Sequence, residues 1–154
     1  MGAEGVWLQR HVRLLRTSYH HWTGGHLLAP AIDDAAAVAL LETADFALLS
    51  HGVEDDPVFN YGNALALHLF EMPWEAFTAL PSRLSAEPLL REERALLLER
   101  VGRNGYIDDY AGVRISSSGQ RFLIRNATVW NLLDEAARPY GQAALIRRWD
   151  PLTG

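Results

Sequence analysis

Four arginines, Arg83, Arg94, Arg114 and Arg125, are the side chains in this sequence best suited to hold a ligand. A guanidinium offers a planar fork of donors that matches a carboxylate or phosphate. The competing reading is that they pair with Glu87, Glu93, Asp108 or Asp109 and brace loops. Tyr106, Tyr110, Gly112 and Arg114 fall on alternate positions of one extended stretch. A glycine there leaves room for something to approach the backbone, or marks a bulge. Other chemistry is excluded by residue type or spacing. The chain contains no Cys, so it has no disulfide, thiolate nucleophile or Cys-ligated metal site. His20 and His21 are adjacent on a helical stretch, about 100° apart, and with His26 do not converge on one ion. His51 beside a turn and His68 in an apolar helix read as core or boundary histidines. Asp108 and Asp109 are consecutive on a strand and point to opposite faces. No serine sits in a nucleophile-elbow setting and no glycines form a phosphate-binding loop. The expectation is a binding module and not an enzyme.

Composition narrows the partners. Apolar residues make up 49% and charged residues 21% of 154 residues, as in one ordinary folded domain. The net charge is −5 and the chain has no Lys. Arg10, Arg13 and Arg16 read as a solvated helix stripe, and without a basic tract nucleic acid is not an expected partner. No apolar run reaches the roughly 18 residues of a membrane span, and the N-terminus lacks a signal-peptide pattern. The expected location is the cytoplasm.

The elements that must position these residues follow from periodicity. Leu8, Val12, Leu15, Tyr19 and Trp22 are spaced four, three, four and three apart, the signature of one helical face, and Gly24-Gly25 ends it. Asp33 caps a second helix from Asp34 to about Thr43. Phe46–His51 and Val58–Tyr61 form a hairpin around the turn-forming stretch 52–57. Asn63 caps a helix from Ala64 to Glu71, and Pro73–Phe77 makes a further helical turn. A long helix runs from Leu89 to about Val101, ended by Gly102 and Gly105, with i,i+4 pairs Glu87–Arg91 and Glu99–Arg103. Tyr106–Ile115, Arg121–Leu132 and Gln142–Trp149 read as three strands. On the middle one, strict alternation puts Phe122, Ile124 and Trp130 on one face and Leu123, Ala127 and Val129 on the other. A strand apolar on both faces needs cover on both.

Two strands, short helices, one long helix and three strands is the order of a PAS domain, and Phe59-Asn60-Tyr61-Gly62-Asn63 through Phe70 resembles its signature. More specifically, the chain resembles the MEKHLA family, PAS-like modules of plant homeodomain–leucine zipper regulators that also occur as separate bacterial proteins. The matching pieces are His51-Gly52, Asn60 to Phe70, Pro81 to Glu87, Arg91-Glu92-Glu93-Arg94, Gly105, Tyr110 to Ile115, Val129-Trp130-Asn131 and Gly141 to Ala144. The weaker likeness reaches back to about His11.

The resemblance implies an α+β fold: a PAS-like five-stranded antiparallel sheet, with its first strand at the centre beside the second and the last. Helices lie over one face, and an N-terminal helical extension (1–45) lies on the other face of the 46–150 core. It implies a sensory or ligand-binding module whose pocket takes a small molecule, anionic if the arginines face it. The candidate lining is Asn63, Arg83, Arg94, Tyr110, Arg114, Arg125 and Trp130. Without Cys, a light–oxygen–voltage flavin adduct or a thioester chromophore is excluded, and without His on the long helix haem is not expected. With no homeodomain, zipper or other output domain attached, the signal is expected to pass through a partner or a homodimer built on Leu8, Val12, Leu15, Tyr19 and Trp22. Two rivals remain at this point. One is a cone-shaped, nuclear-transport-factor-like isomerase or hydrolase using Asp109 and His68; the other is a dimerisation scaffold with a collapsed cavity.

Overall fold

The 4-3-4-3 stripe closes into helix α1 (Gly2–Thr23), which stops where Gly24 takes a positive φ of 75° and its N–H reaches back to the His20 carbonyl. The computed structural model describes residues 2–86 and 91–153, and the side chains of all of these except 2–4, 91 and 94. After α1 come α2 (Asp34–Glu42), β1 (Ala47–His51), β2 (Phe59–Gly62), α3 (Ala64–Phe70), α4 (Trp74–Phe77) and a 3-10 turn (Ser82–Ser85). The chain then forms α5 (Arg91–Asn104), β3 (Tyr106–Ile115), β4 (Arg121–Leu133), β5 (Pro139–Ile146) and β6 (Arg148–Leu152). Asp33 caps α2 as expected, accepting from the Ala36 N–H at 2.8 Å.

The sheet is antiparallel, in the order β2-β1-β5-β4-β3. β1 lies at its centre, with Ala47 opposite Ile146 and His51 opposite Gln142, the neighbour relation that the fold assignment required. The last strand differs from expectation. It breaks after Ile146, and β6 pairs with the first half of β4 as a sixth strand off the main path. The cause is Asn126, held in the left-handed region at φ 50°, which bends β4 so that its two halves meet different partners. Residues 121–125 pair with β6 and 128–133 with β5.

Helices cover both faces. α1 and α2 bury Val12, Leu15, Ala37 and Leu41 against Leu48, Tyr61, Trp130, Leu132 and Leu145. On the opposite face α3 and α4 bury Phe70 and Phe77 against Leu49, Phe59, Phe122, Ile124 and Ile146. α5 adds Leu97 and Val101 over Ile107 and Val129. The helix passes through Gly102 and ends at Gly105, at φ 89°, where a Cβ would lie 2.3 Å from the Trp22 ring. Glu99 and Arg103 pair at 2.6 Å, whereas Glu87 and the expected start at Leu89 lie outside the described residues. Among the described residues no helix is long and apolar enough to cross a membrane.

Most of the α1 stripe packs inside the chain. Val12 and Leu15 are fully buried, Tyr19 meets the Trp130 ring edge-on at 5.0 Å, and the Trp22 indole N–H donates to the Asn131 carbonyl at 2.9 Å. Leu8, Tyr19 and Trp22 rest on the same core cluster. Val12 and Leu15 are thus wholly covered within the chain, while Leu8, Tyr19 and Trp22 pack on the same core and stay partly exposed. Arg10 and Arg13 occupy the outer side of the helix in exposed ion pairs with Glu135 and Asp34.

Candidate ligand pocket

Two bulges decide which side chains enter the cavity beneath the sheet. Between Tyr110↔Ala127 and Gly112↔Ile124, β4 uses one residue more than β3, at the Asn126 bend. Between Ile107↔Val129 and Tyr110↔Ala127, β3 uses one residue more than β4, at Asp108-Asp109. Each extra residue reverses the alternation beyond it. Phe122, Ile124 and Ala127 thus share one face, while Trp130 turns to the α1 side, fully buried. The expectation that Trp130 lines the pocket with Phe122 and Ile124 is corrected for this reason. Tyr106 is likewise separated from Tyr110 and packs against the α1-side core.

Tyr110, Gly112 and Arg114 do remain on one face. A Cβ on Gly112 would sit 2.3 Å from the Tyr110 hydroxyl, so the space above this glycine is taken by the neighbouring phenol. The Arg114 guanidinium carbon lies 5.2 Å from the centre of the Tyr110 ring. Both side chains line a cavity of about 60 Å³ whose other walls include Phe70, Leu97, Ile124, Val129, His51 and Gln142. That is room for a few water-sized groups. An outer groove of about 450 Å³, bordered by Glu93, Leu96 and Arg100, shares Leu97, Tyr110 and Arg114 with it.

Arg114 is only 8% exposed. Its hydrogen bond is to the carbonyl of its own neighbour Val113, at 3.1 Å, and no carboxylate of the described residues lies in ion-pair range. Burial lowers its pKa, opposed by the nearby Tyr110 and Glu93. A buried cation without a close anion is costly. The Gln142 side chain donates from Nε2 to the Asn131 amide oxygen at 2.9 Å, while its buried Oε1 has no partner among the described residues. The walls are therefore mainly apolar, with one buried cation that has no carboxylate in ion-pair range among the described residues, and one buried acceptor without a partner among them.

The other candidates stand elsewhere. Asn63 is fully buried with every side-chain site in use: Oδ1 accepts from Leu48 and Ala66, and Nδ2 donates to the Leu41 and Phe46 carbonyls. It caps α3 as expected but has nothing left for a ligand. Arg83 and Arg125 lie on the surface, paired with Asp56 and Asp150, as the loop-bracing alternative foresaw, though with other carboxylates. The Arg94 side chain lies outside the described residues. Asp109 is exposed and 3.9 Å from Arg100, and His68 is exposed on α3, so neither enters the cavity. The cone-shaped fold is ruled out by the strand order.

One constellation went unforeseen. His11 is buried between α1 and the sheet, its Nδ1 3.1 Å from the Tyr140 hydroxyl and its Nε2 2.8 Å from Ser50 Oγ. Ser50 in turn donates to Asn60 Oδ1 at 2.6 Å. That direction makes His11 a neutral imidazole donating from Nε2 and accepting at Nδ1. Burial first, then Arg10, depress its pKa to about 4. Trp7, His11, Leu14 and Ser18 form a second 4-3-4 row beside the leading stripe, the sequence signal that would have found it.

Solved structures share this architecture. The PAS domain of a protein from Colwellia psychrerythraea is 13% identical, at a TM-score of 0.60, over 71% of this chain and 90% of its own. A PAS domain from a two-component sensor histidine kinase is 19% identical, at a TM-score of 0.57, over 71% and 89%. An RNA-binding light–oxygen–voltage receptor is 14% identical, at a TM-score of 0.63, over 78% of this chain and 33% of its own. Comparison with curated proteins finds no match. Residues 9–151, from the second turn of α1 to β6, match the MEKHLA domain, and with the PAS strand order in place the chain belongs to the MEKHLA domain family.

Proposed function

We propose that this protein is a sensory module that binds a small anion, a short-chain carboxylate, between α5 and the sheet. The observation that carries the reading is Arg114, a residue only 8% exposed whose guanidinium lies over Tyr110 with no carboxylate partner among the described residues. A carboxylate entering the cavity would form the charge-assisted pair that Arg114 lacks among the described residues. Its short apolar body would meet Leu97, Ile124 and Val129, and a ligand hydroxyl or N–H could reach Gln142 Oε1. The cavity of about 60 Å³ argues for few atoms and against a large chromophore. The site offers positioned recognition without an acid–base pair, which favours sensing over catalysis. Output would pass to a second copy or another protein through surface outside the largely packed α1 stripe, where Val53 and Leu96 are each 63% exposed.

Mass spectrometry of the protein as purified, native against denatured, should show a carried small acid. Calorimetric titration with acetate, propionate and butyrate should give saturable binding that Arg114→Met abolishes. In the ligand-free protein, Arg114→Met should raise stability by about 1 to 3 kcal/mol, since a buried cation with no ion pair among the described residues is replaced by an apolar chain of similar length. Unchanged binding in Arg114→Met, or a large loss of stability, would overturn the reading. Sedimentation tests the dimer route: a single 17.2 kDa species with and without ligand removes it.

A further inference from the structure

A second concavity lies on the other side of the molecule, where the start of α1, the end of α2, β2 and α4 meet. It encloses about 720 Å³, within the range of small-molecule sites. Trp7, Tyr61 and Trp74 are among the aromatic residues that line it. Trp7 is 38% exposed and is held in place by stacking on His11, with ring centres 4.6 Å apart and planes 10° apart. Trp74 meets the Tyr61 ring edge-on at 6.0 Å. Three carboxylates, Glu42, Glu54 and Glu75, stand among them on three different elements, and no Arg or His lines the groove. None of the three forms an ion pair among the described residues.

Tyr61 supplies an independent observation. Its side chain is 98% buried and borders the groove, and its hydroxyl, which has no hydrogen-bond partner among the described residues, is not one of the sealed polar atoms and so keeps the residue's remaining contact with the groove. A phenol oxygen in that position can bond to whatever enters the groove. Burial and the adjacent Glu42 both keep the phenol protonated. Burial likewise raises the Glu42 pKa, although part of that side chain remains open to solvent. The groove thus has negative charge without a counterion among the described residues, aromatic faces that attract cations, and a hydroxyl that can accept from an ammonium.

We infer that this groove is a binding site for a linear aliphatic polyamine, with ammonium groups at Glu42, Glu54 and Glu75 and methylene links over Trp7, Tyr61 and Trp74. Three separate carboxylates match several cations on one flexible chain better than a single ammonium. The site is independent of the anion pocket, which lies on the opposite face of the sheet.

The test is calorimetric titration of spermidine into the full chain at physiological ionic strength, followed in parallel by tryptophan fluorescence, to which Trp7 and Trp74 report directly. One saturable site is expected, with propylamine at least tenfold weaker. Glu42→Gln and Glu75→Gln should each weaken spermidine about tenfold and Tyr61→Phe severalfold, with melting curves retained. Glu99→Gln, an exposed acid on α5, and Arg114→Met should bind spermidine as the parent does. Parent-like binding in all three groove variants would overturn the inference. So would an equal loss in Glu99→Gln, which would mean diffuse attraction to an acidic surface. Tight binding of a triarginine peptide without spermidine binding would also overturn it, since the occupant would then be a protein segment.

Discussion

Replacing Asn63 by alanine should cost far more than a helix cap. A lost N-cap alone is worth about 1 kcal/mol. Here the carboxamide also accepts from the Leu48 N–H at 3.1 Å and donates to the Leu41 and Phe46 carbonyls at 2.8 and 2.9 Å. It ties the end of α2, the start of the central strand and the start of α3 to one buried point. Each of these three bonds contributes about 1 kcal/mol, and their partners would be left in a dry interior, where an unmade bond costs about 1 to 3 kcal/mol. The expected loss for Asn63→Ala is therefore about 3 to 5 kcal/mol, a third or more of the stability of a typical domain. Equilibrium urea unfolding, read by tryptophan fluorescence, would measure it as a lower midpoint at unchanged slope. Asn63→Asp separates the contributions, because it keeps the cap acceptor but sets a carboxylate against two carbonyl oxygens, and it should be no more stable than Asn63→Ala. A loss under about 1.5 kcal/mol in the alanine variant, or recovery in the aspartate variant, would refute the reasoning.

Stability should also fall with acid through His11. Above about pH 6.5 the imidazole is neutral folded and unfolded; below it only the unfolded chain takes up a proton until about pH 4. The loss over that window is about 3 kcal/mol, visible as a melting temperature that drops between pH 7 and pH 5 in the parent but not in His11→Gln. Gly105→Ala should destabilise by about 2 to 4 kcal/mol in the same urea assay, since its Cβ would enter the Trp22 ring from a positive φ of 89°. Arg83→Ala and Arg125→Ala should change stability by less than about 0.5 kcal/mol and leave carboxylate titrations unaltered, because their ion pairs are solvent-exposed.

Features set by neighbours along the chain are legible in the sequence itself. The spacing of Leu8 to Trp22 specifies a helix and its buried side, because helical periodicity depends on sequence separation alone. Asp33 and Asn63 announce the starts of α2 and α3 through a side chain that reaches only three residues. The succession of elements, with the family's residues in register from His51 to Ala144, is enough for the strand order. What escapes depends on contacts between distant segments. Strict alternation misplaces Trp130 and Tyr106, because the extra residues at Asn126 and at Asp108-Asp109 emerge only when β3 and β4 are laid side by side. Arg83, Arg114 and Arg125 look equivalent as letters. Two of them find Asp56 and Asp150 on the surface, while the third is drawn under α5 with no carboxylate in ion-pair range among the described residues, a difference of burial and partner that no local spacing encodes. The five apolar residues of α1 suggest an interface because a lone helix would leave them wet. Only the tertiary packing decides that the sheet covers Val12 and Leu15 completely and Leu8, Tyr19 and Trp22 in part, because that depends on residues more than a hundred positions away, such as Trp130 and Asn131.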